Sequence, residues 1–167
     1  MEKIKAFLKR KDIVISAKRY GIDALGAMAQ GLFCSLLIGT IVKTLGEQID
    51  VKFLVDVGGY ASDMSGAAMA IAIGYALKAP PLVLFSLATV GYAANALGST
   101  TLSGAPGAGG PLAVLFIAIL AAECGKAVSK ETKVDILVTP LVTILAGVWL
   151  SALIAPAIGT AATSVGS

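Results

Sequence analysis

Residues 79–122 contain no Asp, Glu, Lys or Arg, and 44 consecutive uncharged residues leave a chain few ways to fold. At about 1.5 Å per helical residue the stretch is too long for one crossing of a hydrocarbon layer roughly 30 Å thick, and about right for two. Its middle, GSTTLSGAPGAGGP at 98–111, is rich in glycine, proline and small hydroxyl residues, a composition that ends helices. A buried soluble core would join its apolar runs through charged connections, and this connection has none. The stretch therefore reads as two membrane helices joined by a glycine-rich, re-entrant loop.

The rest of the chain agrees. It is 57% hydrophobic and only 14% charged, against roughly 25% charged for a soluble domain. Apolar runs at 24–42, 57–77, 82–97, 111–128 and 136–154 predict an all-α polytopic membrane protein of about five transmembrane helices. They form a single domain over 20–167 that follows a basic amphipathic segment at 1–19. In that segment Ile4, Phe7 and Leu8 recur at helical spacing among Lys3, Lys5, Lys9, Arg10 and Lys11. The pattern suits a short helix lying on an anionic membrane face, the plainer alternative being a solvated basic tail. A secretory signal fits less well, because the charged region and the following apolar run are both too long.

Charge sets the orientation. Five spans with a cytosolic N-terminus leave eleven basic residues inside and only Lys43 and Lys52 outside, as the positive-inside rule requires. Seven of the 13 basic residues lie within the first 19, so the bias concerns topology and not nucleic acid. The chain has no histidine, which removes phosphohistidine chemistry and Ser–His triads from it. Cys34 and Cys124 fall in apolar runs and read as small core residues, with no disulfide, metal or cofactor implied.

Four polar side chains within the apolar runs are the candidate solute-binding residues: Asp63, Glu123, Gln30 and Asn95. Ionisable or amide groups at membrane depth are expensive and point to function by default. Each also has a plainer reading. Asp63 suits the first turn of a helix starting near Ser62, and Glu123 pairs at i,i+3 with Lys126. Asn95 suits a bond across to a neighbouring helix. Asp23 reads as a helix-start residue at the interface. Gly66, Ala70 and Gly74 recur every four residues, a stripe that lets another helix approach closely. Thr139-Pro140 interrupts the fifth span, Pro156 ends or kinks it, and the tail GTAATSVGS reads as loose.

The segments KRKDIVISAKRYGIDALGAMAQGLFCSLLIGTIVKTLG, YALKAPPLVLFS and ECGKAVSKETKVDILVTPLVTI resemble the N-terminal half of a family of bacterial membrane proteins. These are the phosphotransferase-system sugar transporter subunit IIC-like proteins, the family of the perfringolysin O regulator. The resemblance implies a multi-pass protein of the bacterial cytoplasmic (inner) membrane that moves a sugar or similar small polar solute. Any phosphotransfer would come from a separate soluble subunit, so the chain itself is not expected to be an enzyme.

An odd number of spans inverts whatever is fused after it, and inverted halves around a central site are a common transporter plan. The chain thus reads as one half of a transport unit, completed by a second half or by homo-oligomer formation. The competing reading is a membrane-embedded regulatory or scaffolding protein without transport, using its basic segments to hold a cytosolic partner or anionic lipid.

Overall fold

The computed structural model describes residues 2–10, 18–99, 109–129 and 133–166. Among these the chain forms seven helices: α1 Glu2–Arg10, α2 Lys18–Gln48, α3 Lys52–Asp63, α4 Ser65–Ala76, α5 Pro81–Gly98, α6 Gly110–Val128 and α7 Asp135–Gly166. Four of them, α2, α5, α6 and α7, are long and apolar enough to cross a membrane. The protein is an all-α polytopic membrane protein. The predicted re-entrant loop at 98–111 falls mainly on residues 100–108, outside the described residues.

Several helix ends differ from the expected ones. The first span was placed at 24–42, yet α2 runs 31 residues, about 46 Å, from Lys18 to Gln48. Asp23 does not start it but sits within helical backbone at φ −67°, ψ −44°, with no side-chain capping bond. The charges at Lys18, Arg19 and Asp23 mark where a membrane would begin, and nothing in them stops a helix. The outer loop expected at 43–56 shrinks to a tight turn. Asp50 takes φ 55° there and the Val51 N–H donates to the Gly46 carbonyl at 2.9 Å, the closure of a Schellman motif.

The second span, expected over 57–77, is broken at Met64 (φ −87°, ψ 7°) into α3 and the short apolar α4. Ser62, Asp63 and Ser65 surround the break, and such side chains compete for backbone hydrogen bonds. Ser62 Oγ donates to the Gly58 carbonyl at 2.9 Å. Gly31 faces Ala68 and Gly39 faces Ser62, so the widened turns of α2 at Phe33–Leu37 lie opposite this break.

The tail is helical, not loose. α7 continues through Pro140 and Pro156 to Gly166. Proline removes one ladder bond, which a membrane helix tolerates where local groups adjust. Around the second proline Thr160 Oγ1 donates to the Pro156 carbonyl (2.9 Å) and Thr163 Oγ1 to that of Gly159 (2.8 Å). The same economy runs through the bundle. Ser35, Thr40, Ser86, Thr143 and Ser151 each donate to the carbonyl four residues back.

α4 lies at the centre, packed by α2, α5 and α6, while α7 closes on α5 and α6. The core is small-residue rich: Met69, Ile73, Leu77, Leu87, Val90 and Ile117 fill spaces between Ala70, Ala94, Ala118, Ala121 and Ala122. Outward faces carry exposed apolar side chains such as Phe85, Trp149 and Leu153, the surface a lipid environment wants. Cys34 and Cys124 are on this exposed surface, not in the core. An apolar run cannot distinguish a lipid-facing position from a protein-facing one.

Backbones come into direct contact at the α4–α5 crossing. A Cβ at Gly66 would lie 2.5 Å from the Gly91 carbonyl oxygen and 2.5 Å from Asn95 Cβ, and one at Gly91 would strike the Gly66 carbonyl and Ala70 Cβ. Gly74 meets Leu87 one turn beyond Ala70. Gly66→Ala must therefore push two backbones apart, with an expected loss of about 1–3 kcal/mol. Gly59→Ala, where a Cβ meets nothing within 4 Å, should be neutral or stabilise by about 0.5–1 kcal/mol. Thermal unfolding of both variants in detergent checks this; equal melting temperatures would contradict the crossing.

Candidate functional site

The site begins with a covalent peculiarity. Two residues after α4 the chain reads Ala79-Pro80-Pro81, so Leu77 has a proline at both i+3 and i+4. Its carbonyl can receive neither an α-helical nor a 3₁₀ bond, because proline has no N–H. Lys78 takes φ 59°, its N–H donating to the Tyr75 carbonyl at 3.1 Å while the Ala79 N–H donates to that of Gly74 at 2.9 Å. This Schellman closure satisfies the carbonyls of Gly74 and Tyr75 and leaves that of Leu77, a fully buried residue, to be met from elsewhere.

Two distant cations meet it. Lys126 Nζ on α6 donates at 2.8 Å and Arg19 Nη2 on α2 at 3.1 Å. Lys126 is 1% exposed and Arg19 9%. A positive charge at a helix C-terminus also opposes the negative end of the helix dipole. Lys126 Nζ further donates to Glu123 Oε1 at 3.4 Å, one turn back on α6. The Glu123 side chain is 15% exposed, and its second oxygen, Oε2, is buried without a hydrogen-bond partner. Tyr20 packs against the same core on the neighbouring turn of α2. The cluster ties α2, the α4–α5 turn and α6 together at one end of the bundle. At the start of α7, Thr139 donates to the Asp135 carboxylate, and Thr143 lies against Gly125.

Chemically the cluster offers one carboxylate oxygen with unused acceptor capacity, beside two buried cations. That oxygen can accept a hydrogen bond donated by a hydroxyl of a polar solute. Among the described residues no group of three or more His, Cys, Asp or Glu is placed to hold a metal ion.

The four candidate residues are not gathered in one place. Gln30 is exposed on α2 and lines a groove of about 470 Å³ with Ala27, Gly31, Cys34, Ala68, Ala72 and Tyr75. Asp63 is the exposed last residue of α3. Asp56, on the same face seven residues earlier, pairs instead with Lys52 at 2.8 Å. Asn95 is half-buried where α4, α5 and α6 meet, beside Gly66 and Gly110. Gly66 and Leu77 are eleven residues apart on the α4 axis, so Asn95 and Glu123 sit about 16 Å apart along the bundle. Gln30, level with Ala68, belongs with the Asn95 end.

Reading the residues singly misses Arg19 and the Leu77 carbonyl. The signal was nonetheless present, since Leu-Lys-Ala-Pro-Pro leaves one carbonyl with no local donor and so calls for a cation from elsewhere in the chain.

Removing Lys126 takes the ion-pair partner from Glu123 and leaves the Leu77 carbonyl with the Arg19 donor alone. Lys126→Met is expected to cost about 3–5 kcal/mol, because the loss of one partner leaves a buried charge unpaired. Adding Glu123→Gln should recover part of that loss. A double-mutant cycle on unfolding free energies measures the coupling; additive effects would show that the pair does not interact.

Residues 22–167 match the family described as Phosphotransferase system, EIIC. Neither the curated proteins nor the solved structures returned a match. The match covers most of the chain, beginning inside α2 and running past all the helices that surround Leu77. With helices long and apolar enough to span a bilayer, the chain belongs to the phosphotransferase-system EIIC family and is a transporter-type integral membrane subunit.

Proposed function

We propose that this subunit translocates a sugar or a similarly small polar solute across the bacterial cytoplasmic membrane, and that it forms one half of the transport unit. Membership of the EIIC family supports the solute class. The observation that carries the half-unit reading is Gln30. Its amide is exposed on the outside of the bundle, within a span, in a groove lined otherwise by Ala, Gly, Cys, Ile, Leu and Tyr. Polar groups at membrane depth face protein or a water-filled cavity rather than lipid. That face is therefore completed by further protein, a second half or a second copy of the chain.

In this reading Gln30, Asp63 and Asn95 supply polar contacts on one level of the pathway, and Glu123 supplies them at the lysine-rich end. The solute meets them in succession as the two halves rock about it. Phosphoryl transfer to the solute is the work of a separate soluble subunit. A regulatory or scaffolding role without transport would instead rest on the basic segments.

Equilibrium dialysis of the reconstituted protein against a panel of mono- and disaccharides tests the proposal. At least one sugar should bind, and Glu123→Gln and Gln30→Leu should each weaken it about tenfold, as expected for losing one hydrogen bond to a charged or buried group. Binding unaffected by either substitution would remove Glu123 and Gln30 from the pathway. No binding of any sugar would contradict the solute class.

A further inference from the structure

The bundle leaves one helix without a role. α1, Glu2–Arg10, buries none of its nine residues. Ile4, Phe7 and Leu8 form a narrow apolar stripe along it, and Ile4 is 61% exposed. At 100° per residue Lys3 and Arg10 flank one edge of that stripe and Lys5 the other, while Ala6 and Lys9 lie opposite. Arg10 sits over the Phe7 ring at 5.4 Å from its centroid, a cation–π contact that keeps an aromatic face and a charge together at the edge.

Such a helix suits the plane of a membrane–water interface. The stripe sinks a little way among the acyl chains, and the flanking lysines reach outward along their own methylenes to the headgroups. The covalent structure brings it there. Residues 11–17 separate α1 from Lys18, the first residue of a membrane-length helix, and seven residues reach at most about 25 Å. The helix starts at the end where Arg19, Lys78 and Lys126 cluster, the side that positive-inside topology assigns to the cytosol. Four basic residues against one acidic residue in α1 complement anionic lipid, not a neutral surface.

We infer that α1 is an interfacial anchor that docks on the anionic headgroups of the leaflet from which α2 enters the membrane. The occupant of its apolar stripe is lipid. A soluble protein partner is the competing occupant, and it would protect the stripe without any need for anionic lipid.

Spin labels on Ile4→Cys and, separately, Ala6→Cys read the depth of each face. The background carries Cys34→Ser and Cys124→Ser, both at exposed positions away from the core. The full chain is reconstituted into phosphatidylcholine vesicles with or without phosphatidylglycerol, and collisions with oxygen and with a water-soluble nickel complex are compared. With phosphatidylglycerol present the label at position 4 should favour oxygen and the label at position 6 nickel. Replacing Lys3, Lys5 and Lys9 by Gln should lower the ratio of docked to undocked helix about fivefold per charge removed. Nickel-type accessibility at both positions in anionic vesicles would overturn the inference. So would burial at position 4 that is the same in purely neutral vesicles, or protection that develops only when a soluble protein is added.

Discussion

A single backbone carbonyl organises one end of this bundle. Two consecutive prolines after Lys78 deny Leu77 any local donor, and the residue is buried, so no bulk water replaces it. In a hydrocarbon surrounding an unmet carbonyl costs several kcal/mol. Lys126 and Arg19, 49 and 58 residues away in sequence, supply the donors. The tertiary arrangement of α2, α4 and α6 is thus tied to a local defect in α4. Charges that would be expensive on their own become the partners that the defect requires.

That arrangement leaves Glu123 only partly satisfied. One oxygen shares Lys126 with Leu77 at a long 3.4 Å, and the other is buried without a close hydrogen-bond donor, with the Tyr20 hydroxyl the neighbouring group able to turn toward the carboxylate. The Glu123 charge offsets those of the two buried cations, Lys126 and Arg19. Elsewhere the bundle is economical, with hydroxyls folded back onto their own helices and glycines placed where backbones touch. The exception stands out against that background, at the end of the bundle where Arg19, Lys78 and Lys126 gather.

Much of this was legible in the residues. The proline pair and the glycine-rich divider bounded α5 and α6 to within one residue, and the Glu123–Lys126 spacing anticipated their contact. Helix ends elsewhere were less readable. Lys18, Arg19 and Asp23 look like a helix boundary because they are charged, yet charge marks the edge of an apolar medium and not the edge of a helix. The tail past Pro156 looked loose because its small residues and hydroxyls suit turns in water, whereas here those hydroxyls bond within the helix. Cys34 and Cys124 looked buried because lipid-facing and core-facing positions share one composition. The Arg19–Leu77 contact joins residues far apart in sequence, and no periodicity reports it.

In the proposed function the Gln30 face is covered by further protein, which for this chain on its own means a second copy. The mass of the detergent-solubilised particle, measured by light scattering with the protein and detergent contributions separated, tests it most directly. The account predicts at least two chains of 16.8 kDa in each particle. A particle holding a single chain would contradict it.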